Sequence, residues 1–403
     1  MMMKYVILVP DGMADYPNPA LADKTPLESA YTPNMDLIAK EGTLGQVSTI
    51  PKGMTPASDV ANMSILGYDP AKYYSGRGPL EAANLGVELK DDDVAFRCNL
   101  ITASEDQMVD YSAGHISNKE TEVLIDFLNR KFRSEDYKFY AGVSYRNLFV
   151  IKNKGRDLEK VKCIPPHDIL NQKISKNLPR GKNEEVLIEL MNKSQELLTQ
   201  HEINKVRLDL RENPANMIWL WGQGKKPSMP TYFERFHKTG AVISAVDLIK
   251  GLGRILGLDV INVPGATAYY DTDYQAKADY AVRALHNKDF VYVHVEAPDE
   301  AGHNGDLREK VTAIERFDKH IVGTFLKHFQ QSKEKFRLLV LPDHATPLSL
   351  RTHVSDSVCF GLMGEGITHN GFSEMSEQKA KESLVKFSTG EELIEYFFRE
   401  GSN

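Results

Sequence analysis

Three runs of unbroken apolar residues stand out along the chain: Tyr5-Val6-Ile7-Leu8-Val9, Phe290-Val291-Tyr292-Val293-His294-Val295 and Leu338-Leu339-Val340-Leu341. They are short, rich in β-branched side chains and without polar alternation, so they predict strands covered on both faces, as in a parallel sheet. Each run is followed at once by an acid: Asp11 after Pro10, Asp299 after Glu296-Ala297-Pro298, and Asp343 after Pro342. Ligands of open parallel α/β sheets sit just beyond the carboxyl ends of the strands. Three strands that each deliver an aspartate there predict a functional site on one sheet edge.

Helical periodicity fills much of the space between. Residues 310–326 carry Val311, Ile314, Phe317, Ile321, Val322 and Phe325 at helical spacing, with charges elsewhere. Residues 241–257 also read as a helix; the GLGRILG stretch at 251–257 does not follow a strand in the manner of a dinucleotide-binding loop and is expected to serve close helix packing. From Leu89 to Gly224 the strand-then-aspartate pattern is missing, lysine is more frequent, and an amphipathic helix is predicted over 184–199. Strand-like runs at 146–152 and 217–221 make this segment a small α/β unit of its own. The expected organisation is a discontinuous core, 1–88 and 225–403, interrupted by an inserted cap, 89–224.

Composition narrows the function classes. A chain of 403 residues exceeds what one hydrophobic core usually serves, which agrees with two domains. Lys plus Arg number 49 against 56 Asp plus Glu, a formal net charge of −7, which excludes a broadly basic nucleic-acid-binding chain but leaves room for a local cationic pocket. The apolar run near the N-terminus is too short for a signal segment or a membrane span, so no membrane partner is expected. Cys98, Cys163 and Cys359 are odd in number and far apart, which argues against a disulfide framework or a zinc knuckle and fits a reducing cytosol. Oligomeric state has no signature here.

The candidate chemistry lies at the strand ends: Asp11, then Asp299 with His303 four residues on, then the pair Asp343-His344, then His353. Singly, such an aspartate often caps a helix and such a histidine is often an ordinary buried polar group. Together, carboxylates and imidazoles suit zinc or manganese, and three acids with three histidines exceed the needs of one tetrahedral ion. A two-metal site is therefore predicted, and such sites commonly act on phosphoryl groups. The nucleophile would be water or one of Thr55, Ser58 and Ser64, which follow a Gly/Pro-rich loop at the apparent start of a helix. Ser58 there either caps the helix or uses the anion-favouring helix terminus for chemistry.

The segments VPDGMAD (9–15), TPASDVANMSILGYDP (55–70), SGRGPLEAANLG (75–86), VPGATAYYDTDY (263–274), VHVEAPDEAGHNGD (293–306) and LPDHATP (341–347) together resemble the archaeal-type cofactor-independent phosphoglycerate mutases of the alkaline phosphatase superfamily. The resemblance implies an alkaline-phosphatase-like α/β core with a largely parallel sheet, the inserted cap, and interconversion of 3- and 2-phosphoglycerate. It implies two divalent ions, manganese or zinc with magnesium or cobalt as substitutes, and no 2,3-bisphosphoglycerate. Ser58 would carry a phosphoserine intermediate. One ion would be held by Asp11, Asp343, His344 and the Ser58 oxygen, the other by Asp299, His303 and His353. Arg97, His115 and Arg146, and less strongly Arg77, would bind the anionic substrate. Competing expectations are a metal-dependent phosphomonoesterase or phosphonate-processing enzyme with the same Ser58. A kinase would need a nucleotide site, and no GxxxxGK[ST] loop occurs; a histidine-nucleophile mutase would need Arg-His-Gly, which is absent.

Overall fold

A computed structural model describes residues 3–399. The chain divides into two compact units, one running to Tyr74 and resuming at Met229, the other formed by Ser75–Ser228. In chain order the described strands are β1 (Lys4–Pro10), β2 (Thr43–Val47), β3 (Asp93–Ser104), β4 (Gln107–Asp110), β5 (Tyr137–Val143), β6 (Arg146–Lys152) and β7 (Met217–Lys225). They continue with β8 (Gly240–Ile243), β9 (Asp259–Val260), β10 (Phe290–Val295), β11 (Phe336–Val340), β12 (Val358–Gly364) and β13 (Lys386–Phe387).

The first unit is built on an eight-stranded sheet in the order β13-β2-β12-β11-β1-β10-β8-β9. The three strands marked by their apolar runs lie side by side at its centre, β1 pairing in parallel with both β10 and β11. Their side chains are almost wholly buried, as expected of strands covered on both faces. Parallel pairing puts their carboxyl ends on one edge, which is what brings the three aspartates together. Antiparallel pairing enters only at β12, which meets β11 on one side and β2 on the other.

The helix expected over 310–326 is longer than that, running as Leu307–Arg316, a π-helical stretch Phe317–Val322, and Gly323–Ser332. Ile314, Phe317, Ile321, Val322 and Phe325 are buried as expected, whereas Val311 is only partly so and its neighbour Lys310 is fully buried. The helix expected over 241–257 is a correction. Ala241, Val242 and Ile243 lie in β8, parallel to β10, and the helix is Asp247–Ile255. A three-residue apolar run satisfies either period, and sheet pairing decided it. Gly253 does serve close packing, because a Cβ there would stand 2.9 Å from Val242 Cγ2.

The second unit is an antiparallel sheet in the order β4-β3-β6-β5, with β7 also paired to β3. Helices Asn118–Phe132 and Glu185–Thr199 supply Leu124, Leu128, Leu187 and Met191 to its core beside Phe96, Phe149 and Trp219. The unit begins at Ser75, earlier than the expected 89, for a packing reason. Helix Arg77–Asn84 lies against β3 and β7 so closely that a Cβ on Gly78 would overlap the Ala95 carbonyl oxygen. Among the described residues no helix is long and apolar enough to cross a membrane.

Candidate active site

The chain leaves β1 at Asp11 and turns at Gly12, whose φ of +62° is a left-handed conformation that glycine adopts without strain. The turn also needs the missing side chain: a Cβ on Gly12 would lie 2.7 Å from the Cα of Asp299, and the Gly12 amide donates to Asp343 Oδ1 at 3.1 Å. Gly12→Ala is therefore expected to push the Asp11 and Asp299 turns apart and weaken any divalent-cation binding there on the order of tenfold or more; titration calorimetry with Mn2+ as the probe checks this, and unchanged affinity would refute the close-approach argument.

Ser58 is the first residue of helix Ser58–Ile65, and the residue before it, Ala57, occupies the cap position. Ser58 thus does not cap its helix. Its Oγ instead lies 3.1 Å from His344 Nε2. The other two hydroxyls considered are elsewhere, Thr55 being exposed and Ser64 buried with its Oγ accepting from the Gly390 amide. Asn62, one turn along the same helix, donates both to the Ser58 carbonyl at 2.7 Å and to Asp343 Oδ2 at 2.8 Å, while Tyr292 of β10 donates to its side-chain oxygen. The nucleophile candidate is thereby tied to the end of β11 from beneath.

His344 Nε2 also stands 3.5 Å from Asp11 Oδ1 and 3.5 Å from Asp343 Oδ2, so Asp11, Ser58, Asp343 and His344 form one group. The second group starts on helix Ala297–Asn304, where the i, i+4 spacing puts Asp299 and His303 on one face, 3.2 Å apart. His353 reaches it from a loop, its Nε2 2.9 Å from His303 Nε2 and 3.5 Å from Asp299 Oδ1. The rings of His344 and His353 meet at 4.0 Å, so all seven residues chosen from the sequence converge on one place.

Supporting contacts fix which imidazole nitrogens face inward. His303 Nδ1 lies 3.0 Å from the Arg351 carbonyl, which can only accept, so Nδ1 carries a proton, and once Nε2 gives up its own, as holding a cation requires, the Nε2 lone pair faces inward. Thr346 Oγ1 donates to Asp299 Oδ1 and stands 3.2 Å from His344 Nδ1, which assigns the same tautomer to His344. Thr346 thus links the two groups through one hydroxyl. Its carbonyl accepts at 2.8 Å from Lys310 Nζ, which also meets Asp15 Oδ2 at 2.6 Å, and Asp15 accepts from the Leu348 amide at 3.2 Å. This buried pair anchors the turn that carries His344 and Thr346.

The electrostatics favour bound cations. Both Asp11 oxygens are buried and accept no hydrogen bond, and burial with the Asp343, Glu296 and Asp299 carboxylates raises its carboxyl well above the usual range. Burial likewise pushes Glu296 up to about 8. Asp299 is driven the other way: burial opposes ionisation, but His303 and His353 hold it well below the usual range, and in return His303 rises to about 9. Four clustered carboxylates, of which Asp11 and Glu296 carry orphaned oxygens, beside inward-facing imidazole nitrogens are a donor set suited to divalent ions. Two residues here went unpicked in the sequence. His294 Nε2 lies 3.1 Å from Asp11 Oδ2 at an angle that makes no hydrogen bond, and burial lowers its pKa to about 4; Glu296 Oε2 is 3.8 Å from its Nδ1. Both belong to the β10 segment already marked, and counting every ligand type at that strand end would have included them.

The four substrate-binding candidates lie in the second unit. Arg97 is buried, with Nε 2.7 Å from Glu81 Oε1 and its guanidinium 4.5 Å from the ring centre of Trp221. Arg77 lies 5.8 Å over the same ring. Exposed Arg146 is 5.7 Å over Tyr145, and His115, exposed with a φ of +50°, meets Tyr145 edge-on at 5.9 Å. His167, not singled out in the sequence, touches Trp221 edge-on at 5.4 Å.

Residues 39–204 match the family model described as 2,3-bisphosphoglycerate-independent phosphoglycerate mutase. A protein of that name from Methanosarcina acetivorans is 52% identical over 393 residues, covering 96% of this chain and 98% of its own. A solved protein from Pyrococcus horikoshii superposes with a TM-score of 0.84 at 29% identity, each chain covered completely. The cofactor-independent phosphoglycerate mutase of Thermoplasma acidophilum superposes with a TM-score of 0.69 at 26% identity over 98% of this chain and 99% of its own. With relatives of this identity across nearly its whole length, the chain belongs to the 2,3-bisphosphoglycerate-independent phosphoglycerate mutase family.

Proposed function

We propose that this protein interconverts 3-phosphoglycerate and 2-phosphoglycerate without 2,3-bisphosphoglycerate, through phosphorylation of Ser58. The observation that carries the reading is the position of Ser58 Oγ, 3.1 Å from the inward-facing nitrogen of His344 at the first turn of a helix, among carboxylates with unpartnered oxygens. Asp11, Asp343, His344 and Ser58 would hold one divalent ion, and Asp299, His303 and His353 the other. When bound, the ions favour the ionised serine oxygen and offset the phosphate's charge.

Ser58 Oγ, giving up its proton, bonds to phosphorus as the bond from phosphorus to the glycerate C3 oxygen breaks and that oxygen takes up a proton, leaving phosphoserine and glycerate. The 2-hydroxyl oxygen then takes the phosphoryl group, and the serine hydroxyl is restored. The helix terminus at Ser58 supplies amide groups and a dipole favourable to the anion throughout. Arg97, Arg146, His115 and Arg77 would bind the glycerate carboxylate, since an arginine fork matches that group's geometry, and retaining glycerate while excluding water separates a mutase from a phosphatase. The free thiols of Cys98, Cys163 and Cys359 support a cytoplasmic setting.

A 31P NMR time course with Mn2+, 3-phosphoglycerate and no bisphosphoglycerate tests this. The expected product is 2-phosphoglycerate, with EDTA abolishing its formation and excess Mn2+ restoring it. Inorganic phosphate as the main product would make the protein a phosphomonoesterase.

A further inference from the structure

Strand β7 does not run evenly along β3. Ala95 pairs with Gly224 and Arg97 with Trp221, so β7 carries one extra residue between these pairs. The bulge is formed around Gly222, whose φ is +61° and whose absent side chain leaves the space against which Arg77 and Arg97 lie, 3.4 and 3.5 Å from where a Cβ would stand. Bulges of this kind re-aim neighbouring side chains. Here the directly opposed residues are Arg97 and Trp221, which share a face of the sheet.

The indole is itself fixed. Trp221 is 4% exposed and its Nε1 donates to Asn99 Oδ1 at 3.0 Å, Asn99 in turn donating to the Tyr111 carbonyl. Around this ring gather Arg97 at 4.5 Å, Arg77 at 5.8 Å and His167 at 5.4 Å. Arg97 directs Nε toward Glu81 and stands with its guanidinium carbon over the ring, so the group is held on two sides. A guanidinium held on two sides has little freedom left to lose when it binds a carboxylate. Burial lowers the Arg97 pKa and Arg77 and Arg146 lower it further, while Glu81 opposes them, so the cluster favours an additional anion beside Arg97.

We propose that Trp221 is a positioning residue that holds Arg97 as a preformed clamp for the substrate's carboxylate and so sets the preference for phosphorylated hydroxy acids over phosphomonoesters lacking a carboxylate. The proposal deepens the mutase reading and rests on it. It differs from a general packing role because the ring face, not the bulk of the side chain, is what matters.

Binding of 3-phosphoglycerate and of glycerol 3-phosphate to the full-length, Mn2+-loaded protein, measured by titration calorimetry with KM and kcat alongside, separates the two ideas. Trp221→Leu is expected to weaken 3-phosphoglycerate binding and raise its KM about tenfold, with a smaller change in kcat and almost none in the affinity for glycerol 3-phosphate. Trp221→Phe keeps a ring face and is expected to restore most of the loss, and Trp221→Leu should add little to the defect of Arg97→Lys. Equal losses for both ligands, or Trp221→Phe no better than Trp221→Leu in a protein of unchanged melting temperature, would overturn the proposal. If the unaltered protein binds neither ligand or forms no 2-phosphoglycerate, the mutase reading itself fails.

Discussion

Ser58→Ala is expected to lower the rate of 2-phosphoglycerate formation by roughly 10,000-fold or more while leaving the fold intact. Loss of a nucleophile removes the covalent route altogether, and the residual rate is then whatever binding and electrostatics alone can sustain. The fold should tolerate the change because Ser58 is partly exposed and does not cap its helix; its backbone carbonyl still accepts from Asn62. The 31P time course gives the rate, and peptide mass spectrometry after acid quench gives the intermediate: the unaltered protein should yield a phosphorylated peptide spanning Ser58 and the variant none. A variant within tenfold of the parent would assign the attack to water or to another hydroxyl.

Lys310→Met should lower stability by about 3–5 kcal/mol. Lys310 is fully buried, and its ammonium is the charge partner of Asp15 at 2.6 Å. Removing it leaves the Asp15 carboxylate buried with only the backbone amides of Tyr16 and Leu348 to solvate it, and also leaves the Thr346 carbonyl without its donor. Urea unfolding provides the measurement, and Lys310→Met combined with Asp15→Leu should recover most of the loss, since the penalty lies in the unpaired charge. The exposed pair Lys335–Glu365 has a comparable separation, 2.7 Å, yet Lys335→Met should cost no more than about 1 kcal/mol. Similar losses at the two sites would show that burial is not what gives the Lys310 pair its weight.

The core of the site was legible because three strands buried on both faces have a signature that does not depend on tertiary context, and each carries an aspartate at the next turn. The i, i+4 pair Asp299 and His303 needed only helical geometry. What was illegible depended on partners remote in sequence. Lys310 reads as a solvated position on an amphipathic helix until Asp15 and Thr346 are placed beside it, and Asn62 reads as an ordinary helix polar residue until Asp343 arrives. Strands β2 and β12 were missed because their runs are interrupted by Gly45 and Gly361; substitution at either would bring a Cβ close to its packing neighbours, Phe360 and Val385 for the one, Ile38 and Met375 for the other. The long strand β3 was missed because Arg97, Asn99 and Thr102 break its apolar pattern, and all three are buried with partners. Buried polar residues that serve a site or a network blur the pattern from which strands are read.

The strand order of the first unit has a consequence for biosynthesis. β1 is synthesised long before its pairing partners β10 and β11, with Tyr5 opposite Phe290 and Leu8 opposite Val340. The second unit, by contrast, finds all its sheet partners between Asp93 and Lys225. During synthesis the inserted unit can therefore close its own sheet while β1 still waits for most of the chain. Asp11 gains the company of both Asp299 and Asp343 only when β10 and β11 have docked, and His353 follows later still, so the cluster of carboxylates and imidazoles cannot assemble until the chain has been made past β11.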